Sequence, residues 1–231
     1  MKRAYFADLD ALRLFAFLVV FFAHCFIYET SIIREINIWQ FTYFLIRSAH
    51  IAICMFFVLS GFLITYLLIE EYKQKGRISL IKYYQRRMLR IFPLFYLVIC
   101  LVFFAYPVLT RLLLHREAVI EVTRWKYFLF LNNFDLIDRG ANIPTLVILW
   151  SVGVEVQFYL LWPLLFMLFR KRLLIPVTAM FLTTAIFRAL NYNNPDLMHF
   201  STLSCLNDLA MGCLLAYLYQ HKREQLMSFI T

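Results

Sequence analysis

Six apolar runs divide this sequence, at Leu12–Tyr28, Ile46–Ile69, Ile91–Leu114, Leu146–Phe169, Leu173–Leu190 and Thr202–Tyr219. About 20 mostly apolar residues in a helix cross a bilayer. The runs lack the period-2 alternation of membrane strands and exceed barrel-strand length, so helices are the expected form. The sequence predicts an all-α, polytopic transmembrane helix bundle of about six spans over residues 1–219, followed by a short cytoplasmic tail at 220–231. A seventh apolar stretch, Tyr127–Phe134, is too short to cross and is expected to be an interfacial or re-entrant piece between Arg111 and Pro144.

Composition narrows the function classes. Hydrophobic residues make up 63% of the chain and charged residues only 16%, against about 25% charged in a soluble domain. A soluble globule of this size has too little interior to hide that surface. A soluble enzyme, a disordered tail and a basic, polar nucleic-acid binder are thereby excluded. The net charge of +9 reports orientation first. With six crossings, 15 of the 23 Lys and Arg residues fall on the side of the termini. The positive-inside rule then places both termini in the cytoplasm. Asp8, Asp10 and Arg13 interrupt the opening run and no cleavage site follows, so that run is expected to stay attached rather than to be a signal peptide. The five cysteines are odd in number, form no C-x-x-C pair and lie in apolar runs, which predicts free core thiols.

Polar side chains inside apolar helices are costly and mark pathways or sites. Arg13 and His24 are eleven residues apart, or three helical turns plus about 20°, so they share one face about 16 Å apart along the axis. Asp10, one turn before Arg13, joins the same stripe. The competing reading is an arginine that snorkels to the interface and a histidine that makes one interhelical hydrogen bond. In the fourth run, Ser151, Glu155 and Tyr159 recur every four residues. Glu155 lies roughly 16 Å in from Pro144 along a helix. An ionised carboxylate there needs a cationic partner, and Arg13 and His24 are both candidates. Ser60-Gly61 and Gly212 read as close helix-packing positions.

The Glu70–Arg90 loop carries a second pattern, Lys82, Arg86 and Arg90 every four residues with Arg87 beside them. Such a stripe suits anionic lipid headgroups or a phosphorylated cytoplasmic ligand. No Walker motif, zinc ligand set or Gly-rich nucleotide loop occurs.

Four motifs then line up in order. They are Leu9-Asp10-Ala11-Leu12-Arg13 followed by His24; Phe56-Phe57-Val58-Leu59-Ser60-Gly61-Phe62-Leu63-Ile64; Arg86-Arg87-Met88-Leu89-Arg90-Ile91-Phe92-Pro93; and Trp150-Ser151-Val152-Gly153-Val154-Glu155-Val156-Gln157-Phe158-Tyr159-Leu160-Leu161-Trp162-Pro163. Over about Tyr5–Pro163 the chain resembles the bacterial acyltransferase-3 family of multi-pass membrane O-acyltransferases. The resemblance implies an acyl-CoA donor, most often acetyl-CoA, used as a substrate rather than as a permanently bound cofactor. It also implies a hydroxyl acceptor that is usually a carbohydrate or lipid-linked glycan, and a place in the bacterial inner membrane. It carries the catalytic role onto His24, with Arg13 and Glu155, and the CoA phosphates onto Arg86, Arg87 and Arg90. Members of that family typically have about ten spans, so further C-terminal spans or a partner chain are expected to complete the bundle. Cys54 stands where relatives often carry an acidic or polar residue. The rival readings are a proton-coupled transporter, which also needs Arg, His and Glu in its spans, and an inactive remnant of the acyltransferase.

Overall fold

The computed structural model describes residues 7–27, 39–117, 119–140 and 143–230. Among them every regular element is helical and no strand occurs. Helix α1 is Ala7–Ile27, α2 Trp39–Lys75, α3 Leu80–Cys100, α4 Tyr106–Leu114, α5 Arg124–Phe128 and α6 Asn132–Arg139. They are followed by α7 Pro144–Val147, α8 Trp150–Phe169, α9 Leu174–Leu190, α10 Pro195–Phe200 and α11 Thr202–Ile230. Helical backbone therefore runs unbroken through the expected boundary at 219/220.

Apolar helices occupy all six expected runs, but they are not equal in length. Among the described residues, four segments are long and apolar enough to span a bilayer: Ser48–Lys75, Leu80–Leu113, Thr145–Phe169 and Pro195–Lys222. Two further apolar stretches among the described residues are Ala11–Ala23, within α1, and Leu174–Leu190. The opening helix has 21 residues in all, whereas α9 has only 17, or about 26 Å of rise against a hydrocarbon core of about 30 Å. The long third segment stays continuous through a π turn at Leu101–Ala105, where the Tyr106 N–H reaches back to the Leu101 carbonyl. Pro107 follows two residues later with no N–H to offer, a usual setting for such a departure from the α ladder.

Two compact units divide the chain, Met1–Thr65 with Asp208–Thr231, and Tyr66–Asn207. In the first, α2 and α11 approach backbone to backbone. A Cβ at Gly61 would lie 2.2 Å from the Leu209 carbonyl oxygen, and one at Gly212 would lie 2.0 Å from that of Val58. Only hydrogen fits in either place, and the Cys213 thiol donates to the Gly61 carbonyl at 3.8 Å within the same contact. The packing role expected of Ser60-Gly61 and Gly212 is what the structure contains.

In the second unit, the core gathers Phe95, Ile99, Val102 and Phe103 of the third segment against Tyr127, Phe130, Leu146, Leu149 and Val156. Phe130 has a left-handed backbone, φ 57°, which costs a non-glycine residue about 1–2 kcal/mol. Its ring stacks on Phe95 at 4.3 Å and on Phe92 at 4.9 Å, which holds that conformation in place. Leu94, Leu97, Leu101, Phe104 and Val108 point outward as an exposed apolar face. Cys100 is also exposed, so the expectation of core thiols fails at this position, which lies among those outward residues. Cys205 and Cys213 are buried and Cys54 is half-buried, none of them in a disulfide.

Candidate active site

The opening helix presents a narrow buried seam. Ala16 and Ala23 are fully buried and Arg13, Val19 and Val20 are half-buried, whereas Leu14, Phe15, Phe17 and Phe21 are more than half exposed. Arg13 thus lies on the stripe of small buried residues rather than among the exposed aromatic rings, which argues against pure snorkelling. His24 belongs to the same helix. Its side chain, like that of Asp10, falls outside the described residues.

Helix α8 carries the candidate carboxylate. Most of this helix is apolar, and Glu155 is half-buried within it. The Tyr159 hydroxyl, one turn on, donates to Glu155 Oε2 at 3.1 Å. The spacing of four that flags this stripe in the sequence is therefore a direct contact. Ser151, the third member, instead donates to the Ile148 carbonyl at 3.5 Å, closing the turn that enters the helix.

Pro163 explains how α3 meets α8. A proline in a helix interior leaves the carbonyl four residues earlier without its N–H donor, and in lipid such a carbonyl needs another. The orphan here belongs to Tyr159, and the Tyr83 hydroxyl of α3 donates to it at 3.3 Å. Tyr84 donates in turn to the Leu160 carbonyl at 2.9 Å. Two adjacent tyrosines of α3 thereby grip two consecutive carbonyls of α8, which fixes the register between the helices.

That grip separates the three arginines. Arg87 is half-buried and stacks over the Tyr159 ring at 5.6 Å and the Tyr83 ring at 6.0 Å, within cation–π range. Arg86 is exposed and pairs with Glu71 at 3.3 Å, a carboxylate that Lys75 also holds. Arg90 and Lys82 are exposed. The expected stripe exists, but its members differ: Arg87 faces inward over the Tyr83 and Tyr159 rings, while Lys82, Arg86 and Arg90 face outward.

On the other side of α8, Gln157 anchors the short helices α5 and α6. Its amide donates to the Phe130 carbonyl at 2.8 Å and to Asn133 Oδ1 at 2.9 Å, and it accepts from the Thr202 hydroxyl. Asn133 donates to the Phe200 carbonyl and to Thr202, each at 3.1 Å. Gly153 makes room for this arrangement, since a Cβ there would lie 2.5 Å from Asn132 Oδ1. Asp135, buried, accepts from the Thr123 N–H and is flanked by Lys126 and Arg139. The Tyr127 hydroxyl and the Asn132 amide are buried without a hydrogen-bond partner. Burial, with the Asp135 carboxylate nearby, pushes the Tyr127 phenol above its ordinary range. The Tyr127–Phe134 stretch is thus two short helices locked onto α8 by polar contacts.

Sequence reading missed Gln157, Asn133 and Thr202, because amides and hydroxyls carry no charge signal. It also missed the tyrosine grip, although Pro163 four residues after Tyr159 is a legible sign of a carbonyl needing a donor. Among the described residues no group of three or more His, Cys, Asp or Glu side chains is placed to hold a metal ion.

Comparison with known proteins decides what this scaffold is. A family model described as "Acyltransferase domain", that of the acyltransferase-3 family, matches residues 6–230. The chain belongs to this family. Among its relatives, the O-acetyltransferase OatA of Staphylococcus aureus is 33% identical over 178 residues, covering 71% of this chain and 29% of that protein. The peptidoglycan O-acetyltransferase OatA of Listeria monocytogenes is 29% identical over 194 residues, 77% of this chain and 30% of that protein. The putative peptidoglycan O-acetyltransferase YrhL of Bacillus subtilis is 28% identical over 234 residues, 95% of this chain and 34% of that protein. The chain thus spans about a third of the length of the curated relatives it matches. No solved structure matches it.

Proposed function

We propose that this acyltransferase-family chain is a membrane-embedded O-acyltransferase that moves an acetyl group from acetyl-CoA to a carbohydrate hydroxyl. The observation that carries the reading is Glu155, a carboxylate held inside apolar α8 by a tyrosine hydroxyl, in a chain of this family. Such a group is too costly in a span to be kept for packing alone. The names of the relatives supply the acceptor class, a peptidoglycan sugar. The charge count supports both termini on the cytoplasmic side, where the CoA donor is available, and the family resemblance supports a bacterial inner membrane.

In this reading neutral His24 takes the proton from the acceptor hydroxyl as its oxygen attacks the thioester carbonyl. An ordinary imidazole pKa near 6.5 suits that task. The tetrahedral intermediate collapses, the carbon–sulfur bond breaks, and the imidazolium returns its proton to the CoA thiolate. A covalent acyl-His24 relay is the variant with the same overall balance. Arg13 and Glu155 are the charged groups that stabilise the developing charges, and Arg86, Arg87 and Arg90 hold the CoA phosphates.

The test uses protein reconstituted in vesicles with labelled acetyl-CoA and muropeptide acceptor. Label transfer by the wild type and its loss in His24→Ala support the reading. Undiminished transfer by His24→Ala overturns the mechanism, and acceptor uptake without thioester consumption favours a carrier instead.

A further inference from the structure

We infer that Tyr159 is a positioning residue that joins the α8 carboxylate to the arginine motif, so that one side chain sets both halves of the site. This rests on the acyl-transfer reading above and names a role that the reading leaves unassigned.

Three observations meet at this residue. Its hydroxyl donates to Glu155 at 3.1 Å. Its ring carries the Arg87 guanidinium at 5.6 Å. Its backbone carbonyl, left without a donor by Pro163, takes the Tyr83 hydroxyl at 3.3 Å, and the Tyr83 ring lies under the same guanidinium at 6.0 Å. Tyr159 is itself buried, so its ring has little freedom to leave either partner.

The chemistry assigns the two ends different work. The phenol O–H orients Glu155 and satisfies one carboxylate lone pair where water is scarce, a charge-assisted hydrogen bond. The ring face holds Arg87 by its quadrupole and uses none of the guanidinium N–H groups in doing so. Those five donors stay available for phosphate oxygens. Arg86 differs, because Glu71 already takes part of its hydrogen-bonding capacity. Arg87 is therefore the arginine left open to a bound diphosphate, and Tyr159, which also holds the α8 carboxylate, is what aims it.

The two ends can be cut separately. Tyr159→Phe keeps the ring and loses the hydroxyl, whereas Tyr159→Leu loses both. In the reconstituted full chain, Tyr159→Phe is expected to lower kcat about tenfold with the KM for acetyl-CoA within about twofold of wild type. Tyr159→Leu is expected to lower kcat as far and also to weaken equilibrium binding of CoA itself about fivefold or more. Thermal unfolding in detergent, monitored alongside, is expected to leave Tyr159→Phe near the wild type. A purely structural role predicts instead that both variants lose kcat, CoA binding and unfolding temperature together, and that pattern overturns the proposal. Equal CoA affinity in wild type, Tyr159→Phe and Tyr159→Leu also overturns it. A wild type that binds CoA but transfers nothing tells against the acyl-transfer reading, and the binding comparison still decides the link to Arg87. A wild type that does not bind CoA overturns both.

Discussion

The two compact units hold their helices together by opposite means. Around Gly61 and Gly212, α2 and α11 touch backbone to backbone, and the contact works because side chains are absent. Around α8 the contacts are made by tyrosine hydroxyls, amides and a threonine reaching for carbonyls and for each other. In lipid both strategies answer the same problem, the lack of a hydrophobic drive between helices. The glycine contact supplies close packing and rigidity with no chemistry in it. The polar contacts supply register and leave ionisable groups in defined positions, and it is within them that Glu155 and Arg87 are found.

The contrast can be broken most severely at the glycines. Gly212→Leu and Gly61→Leu drive a side chain into the Val58 or Leu209 carbonyl, and each is expected to destabilise its unit by about 3 kcal/mol or more. Unfolding in mixed micelles measures this, and a loss below 1 kcal/mol would mean that the helices separate easily. Next comes Gln157→Leu, which strips a donor from the Phe130 carbonyl and an acceptor from Thr202. A loss of about 1–3 kcal/mol is expected, with proteolysis between Arg124 and Arg139 rising first. Tyr83→Phe removes one hydrogen bond and keeps the ring under Arg87. The expected cost is about 0.6 kcal/mol, and no more than about 1.7, readable as a small fall in unfolding temperature. Arg86→Ala should have the smallest effect on stability, within about 0.5 kcal/mol, because Arg86 is half exposed and Lys75 still pairs with Glu71. The same variant is expected to raise the KM for acetyl-CoA.

Much of this arrangement is visible in the residues themselves. Apolar runs give the helices and their order, since lipid leaves the backbone few alternatives. The intervals of four among Ser151, Glu155 and Tyr159 and among Lys82, Arg86 and Arg90 give the two stripes. The four-residue step from Tyr159 to Pro163 gives a carbonyl in need of a donor, although not the identity of that donor. Three kinds of fact stay hidden. The spanning length of α9 depends on where the Arg170–Arg172 turn and Asn191 cut it, a matter of a few residues around a threshold. The inward turn of Arg87 against the outward turns of Arg86 and Arg90 follows from the Tyr83 and Tyr159 rings, which lie 76 residues apart in the chain. The Gln157 network joins α8 to α6 and to the start of α11, and neutral amides leave no periodic trace. What sequence reading recovers is local and periodic, and what it misses is the choice of partner across distance.

The central claim is that the half-buried carboxylate of α8 takes part in acyl transfer. Glu155→Gln keeps the shape of the side chain and the contact with Tyr159 while removing the charge, so its turnover in reconstituted vesicles is the direct measurement. The account predicts a fall in kcat of at least about a hundredfold with CoA still bound and the protein still folded. Turnover at the wild-type rate would contradict it.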